Sequence, residues 1–90
     1  MNEQDQKIIQ RGIAAQELLE NEAFQAVRYV VEQGYLSSIM TTGLEDGETR
    51  EKLFRKVHAL RELTVELNDW VFQKNSREDR LAQGDDFAED

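Results

Sequence analysis

The stretch Leu53-Phe54-Arg55-Lys56-Val57-His58-Ala59-Leu60-Arg61-Glu62-Leu63-Thr64-Val65-Glu66-Leu67-Asn68-Asp69-Trp70-Val71 decides the fold of this chain. Leu53, Val57, Leu60, Leu63, Leu67, Trp70 and Val71 recur every three or four positions, which sets them along one face of an α-helix. The pattern extends over residues 48–74 with no Gly or Pro to interrupt it. Glu48–Lys52 and Glu51–Arg55 add acid-first i,i+4 pairs, each worth a few tenths of a kcal/mol to a helix. A helix of that length is roughly 40 Å long, and its apolar stripe needs a partner helix.

Working backwards, residues 22–41 give a second helix. Phe24, Val27, Val31 and Tyr35 form one stripe, with Ala23, Val30, Ile39 and Met40 beside it. Tyr29 and Leu36 fall towards another side, so this helix is expected to meet two neighbours, one of them another subunit. Gly34 lies between the stripes, where it permits close approach of another backbone. Thr41-Thr42-Gly43-Leu44-Glu45-Asp46-Gly47 is the turn between the two helices, with Gly43 suited to the left-handed position that ends a helix. Asp46 or Gly47 then caps the next one. So short a connection makes the two helices an antiparallel hairpin.

Residues 4–20 carry Ile8, Ile9, Ile13, Leu18 and Leu19 in an amphipathic pattern with Gly12 inside it. Asn21 is a natural N-cap, so a break or bend is expected there, with a continuous helix through it as the alternative. Beyond Lys74 the pattern dissolves, with Leu81, Ala82 and Phe87 the main apolar residues, and 76–90 reads as a flexible acidic tail with room for one helical turn near 76–81. The fold class is therefore all-α: an N-terminal helix, a long antiparallel hairpin over 1–75 in total, and the tail.

Composition narrows the function. The net charge of −8, from 11 basic and 19 acidic residues, argues against direct binding of nucleic acid or of an anionic membrane surface, because both take their affinity from Lys and Arg. The polar start of the chain argues against a secretory signal, and no apolar run is long enough to span a bilayer, so a cytoplasmic protein of a host cell, or one carried in a virion, is expected. With no Cys, neither disulfides nor thiolate metal sites are available.

Catalytic chemistry finds little purchase. Ser37, Ser38 and Ser76 occupy no recognisable nucleophile setting, and the single His58 lies at the edge of an apolar stripe. His58, Glu62 and Glu66 form an i, i+4, i+8 ladder that could ligate a metal, but the Glu-x-x-His pair of di-iron bundles is missing and such ladders are common on solvated faces. Arg50, Lys52, Arg55, Lys56 and Arg61 cluster early in the third helix, interleaved with Glu48, Glu51 and Glu62, as in a mixed surface of local pairs or an interface with an acidic partner. No Gly-rich phosphate loop is present. No cofactor, metal or small-molecule substrate is expected, and no enzyme.

What remains is interaction. Tyr29, Leu36 and Phe72, with Arg55 and Lys56, are the candidate interface residues; Trp70 and Phe72 cannot both face one core, being about 200° apart on the helix. Asp85, Asp86, Phe87, Glu89 and Asp90 form a candidate partner-binding tail, an aromatic anchor among carboxylates.

Three segments carry a family resemblance. Glu17-Leu18-Leu19-Glu20-Asn21-Glu22-Ala23-Phe24-Gln25, Leu44-Glu45-Asp46-Gly47-Glu48-Thr49-Arg50-Glu51-Lys52-Leu53 and Ala59-Leu60-Arg61-Glu62-Leu63 with Glu66-Leu67 look like small helical accessory proteins encoded in tailed-phage head-gene modules, over residues 16–72. Such sequences often carry Pro after the Asn cap and before the acidic turn, where this chain has Glu22 and Leu44. The resemblance implies a phage-encoded structural or assembly component that meets other phage structural proteins, with no catalytic residues to carry over. Self-association into a homo-oligomer is expected from the surplus of apolar helix surface. The competing class is a small acidic inhibitor or adaptor that occupies a basic site on a host protein. Of the 19 acids, 13 lie from Glu45 onward, several interleaved with cations, which favours assembly over mimicry of a nucleic-acid surface.

Overall fold

The computed structural model describes residues 1–88, with side chains described through Gly84. It is all-helical among the described residues: α1 spans Glu3–Glu20, α2 Glu22–Thr41 and α3 Gly47–Ala88. The chain divides into two units, one made of Met1–Leu19 with the part of α3 from Glu66 onward, the other of Glu20–Val65.

In the second unit, α2 and the first half of α3 run antiparallel, since Glu32 meets Arg61, Tyr35 meets Lys56, and Thr42 meets Arg50. Asn21 caps α2: its backbone is extended and its side-chain oxygen accepts from the Phe24 N–H at 2.8 Å. The expected break at Asn21 is therefore present. The other end of α2 closes differently from the expectation. No glycine has a positive φ, so Gly43 is not a left-handed cap. Instead the Thr42 N–H and hydroxyl both donate to the Ile39 carbonyl, at 3.3 and 2.7 Å. The Arg50 guanidinium then donates to Thr42 Oγ1 and to the Gly43 carbonyl, at 3.1 and 3.0 Å. An arginine reaching back from the next helix supplies the donors that water or a left-handed glycine would otherwise provide. Asp46 precedes the first residue of α3 and accepts from the Gly43 N–H at 3.2 Å, which tightens the turn.

In the first unit, α1 is antiparallel to the second half of α3: Asp5 pairs with Arg77, and Arg11 lies over the Trp70 ring at 5.8 Å from its centroid. Gly12 is buried against Lys74. A Cβ at Gly12 would overlap the Lys74 β-carbon and lie 2.9 and 2.8 Å from its Cγ and Cδ. The glycine inside α1 thus lets the two helices approach closely at this point. The stem of Lys74 lies over it while the ammonium reaches Glu78 at 3.1 Å.

The helix that the sequence pattern ends at Lys74 continues to Ala88. Residues 76–84 are therefore helical rather than a flexible tail. Their composition alone could not order them, but α1 supplies a neighbour: Arg77 and Leu81 are half-buried, and Arg77 is held by Asp5. The side chains of Asp85, Asp86 and Phe87, together with Glu89 and Asp90, lie outside the described residues.

The apolar stripe of α3 also shifts. Thr64 takes a half-buried position between Leu60 and Leu67, and Leu63 is exposed. The buried apolar residues among those described are Ala15, Val57 and Leu67, none of them completely enclosed.

Candidate interaction surface

The second unit carries its polar contacts on the α2–α3 seam. Glu32, nearly buried, accepts from Arg61 Nε at 2.8 Å, and the Lys56 ammonium sits 5.7 Å from the Tyr35 centroid. Arg55 pairs with Glu51 on the solvent side at 2.8 Å. Four of the five clustered cations, Arg50, Arg55, Lys56 and Arg61, thus each meet a group of the same unit. His58 Nε2 lies 3.9 Å from Glu62 with both side chains exposed, and no group of three His, Asp or Glu among the described residues is gathered closely enough to hold a metal ion.

The seam rotates α2 relative to the expected stripe. Phe24, Arg28, Tyr35 and Ile39 are half-buried, and so is Leu36, which was expected on a separate outer side. Leu36 follows Tyr35 and stands four positions from Glu32, so it belongs to the α3-facing surface. Val27, expected in the stripe with Phe24, is 62% exposed, and Val30 is 67% exposed. Ala26, Val27, Val30 and Val31 instead line a shallow, wholly apolar depression on α2. Tyr29 and Phe72 are exposed, at 59% and 68%.

Gly34 is on this outward side, and nothing lies within 4 Å of where its Cβ would be. A glycine inside a helix costs about 1 kcal/mol relative to Ala. At Gly12 the close packing of Lys74 accounts for it; at Gly34 no contact within the chain does.

The first unit has a groove lined by Ile8, Phe72, Gln73, Ser76, Arg77 and Arg80. Its cationic rim is partly neutralised, because Asp5 accepts from Arg77 Nη1 at 2.5 Å. Asp5 is buried, and its backbone N–H donates to Asn2 Oδ1 at 2.8 Å. Asn2 and Asp5 thus form a reciprocal cap at the start of α1, and the same carboxylate clamps α1 to α3. Burial pushes the Asp5 carboxyl up. The Arg77 hydrogen bond, the Asn2 backbone donor and the charges of Arg77 and Arg80 outweigh it, leaving the carboxyl below its ordinary value. Sequence reading missed both the cap and the clamp; the Asn2-x-x-Asp5 spacing was the signal for the cap, and no local pattern marks the clamp to Arg77. No helix among the described residues is long and apolar enough to cross a membrane.

No family model, no curated protein and no solved structure matches this chain.

Proposed function

We propose that this chain is a non-enzymatic structural or assembly protein that works by helix packing and self-association. The observation that carries the reading is the apolar face of α2, where Ala26, Val27, Val30 and Val31 stand in water opposite the face that packs on α3. Burying such side chains contributes about 25 cal/mol per Å² of apolar surface, so the face favours association. A thin core supports the same reading, because Ala15, Val57 and Leu67 alone among the described apolar residues are buried. Small domains bury a smaller share of their surface than large ones, so a partner that covers apolar surface adds a larger fraction of their stability.

On this reading α2 and α3 act together as a long antiparallel hairpin, and the acidic residues Asp85 to Asp90 serve other partners. The phage head-module resemblance of residues 16–72 supports a role as a virion or head-assembly accessory component. Absolute mass by size-exclusion chromatography with light scattering, over a range of micromolar concentrations, tests the proposal. A mass that rises above 10.5 kDa with concentration is expected. A monomer throughout refutes it.

A further inference from the structure

The apolar face of α2 is matched to one kind of occupant. Resting on the self-association reading, we infer that this face pairs with the same face of a second copy. The two α2 helices lie antiparallel about a two-fold axis, and Val30 of each seats in the notch left by Gly34 of the other.

Charge selects the occupant. The chain is 33% charged with a net −8, yet the three charged residues of α2, Glu22, Arg28 and Glu32, are not among the residues of this face. Copies of so acidic a chain repel each other, and they approach at least cost where no carboxylate faces the partner. A basic partner would seek carboxylates and finds none here. A membrane surface would require flanking Lys and Arg, and α2 has only the half-buried Arg28.

Register supplies the fit. An isologous contact sets residue i against j and j against i. With the axis level with Glu32, Val30 falls opposite Gly34, Val27 opposite Ser37, Ala26 opposite Ser38, and Ala23 opposite Thr41. All eight positions are exposed within the chain. The two valines of the first half of α2 thus meet the smaller Ser37 and Gly34 of the second half, the two alanines leave room for Ser38 and Thr41, and the most exposed valine meets the glycine. The unfilled Cβ position of Gly34, which no contact inside the chain explains, becomes the receiving hole.

Area sets the strength. A helix of 20 residues is roughly 30 Å long and about 10 Å across. One such face is smaller than the roughly 800 Å² per partner of a standard interface, so the dimer belongs to the weak, micromolar class.

Sedimentation equilibrium of the full chain and of two variants tests this. Val30→Glu and Gly34→Leu both change positions that are open in the single chain, so circular dichroism should show the helices retained. Each is expected to weaken dimerisation at least roughly tenfold. The register is tested by mixing Val30→Cys chains with Gly34→Cys chains, which have no other cysteine. A mixed disulfide dimer is expected, forming faster than one from Tyr29→Cys with Gln33→Cys. If the unaltered chain associates but both variants associate equally well, the face is wrong and the self-association reading survives. If the variants weaken association but the mixed disulfide does not form preferentially, the register is overturned. A monomer at every concentration overturns both the inference and the reading beneath it.

Discussion

Replacing Gly12 by Ala should destabilise the first unit, although by local preference it ought to do the opposite. Gly→Ala inside a helix gains about 1 kcal/mol. The added methyl, however, would overlap the Lys74 β-carbon and approach its Cγ and Cδ to 2.9 and 2.8 Å. A β-carbon is fixed to the backbone of α3, so Lys74 cannot swing aside as it could if only its ammonium were in the way. Relief requires α1 and α3 to separate by roughly 1 Å, and overpacking of this kind costs about 1–3 kcal/mol. Because backbone rather than a flexible tip must move, the upper end applies and the net loss is about 2 kcal/mol. For a domain of this size that lowers Tm on the order of 10 °C. Trp70 is the single tryptophan and lies in this unit against Arg11, so its fluorescence during thermal unfolding reads the event locally. A Tm equal to or above that of the unaltered chain would refute the close packing at Gly12.

Other outcomes follow from the same contacts. Gly34→Ala, measured at concentrations where the chain is monomeric, should raise Tm by about 5 °C, since the methyl meets nothing within 4 Å and the helix gains about 1 kcal/mol; a fall would show that the glycine serves the single chain. Asn21→Ala removes the acceptor for the Phe24 N–H and should cost about 1 kcal/mol in urea unfolding, whereas Asn21→Gly should cost only a few tenths. Asp5 has a lowered carboxyl pKa, so its clamp contributes stability above the ordinary value of 3.8 and loses it as pH falls through the lower folded value. Acid titration of Trp70 fluorescence should therefore show a transition below about pH 4 that is absent in Asp5→Asn; an unchanged transition in the variant would assign it to other carboxylates. Removing residues 75–90 deletes Arg77 and should lower the helicity of α1 as well as that of α3, read by backbone NMR shifts; an unaffected α1 would mean that the segment is the dispensable tail its composition suggests.

The two glycines inside helices explain where the sequence is legible and where it is not. The three helices, the Asn21 break and the turn over residues 42–46 follow from spacing and caps, which are local chemistry. The continuation of α3 past Lys74 follows from nothing local. It depends on Asp5 meeting Arg77 across 72 positions of chain, and a carboxylate near the start of a polar segment gives no sign of its distant partner. The face of α2 was misread by a part-turn for the same reason. Val27 and Phe24 satisfy one helical row as well as Phe24 and Arg28 do, and long-range contacts such as Glu32 with Arg61 and Tyr35 with Lys56 go with the second. A row containing an arginine and a glutamate does not look like a core until the opposite cation is in place.

That selection exposes the valines. Once Glu32 is tied to Arg61 and Tyr35 lies under Lys56, the opposite side of α2 must face outward, and Ala26, Val27, Val30 and Gly34 go with it. The polar seam inside the chain and the apolar face outside it are therefore consequences of one choice of rotation. A change that frees the seam should disturb the outer face as well. Arg61→Ala would leave Glu32, whose side chain is only 13% exposed, without its cation, and α2 could relax towards burying Val27 instead. The expected result is a chain that keeps its helices by circular dichroism but associates less, because Val27 and Val30 have turned inward. Association unchanged in Arg61→Ala would show that the rotation of α2 is set by its apolar contacts alone, with the Glu32–Arg61 pair following from them.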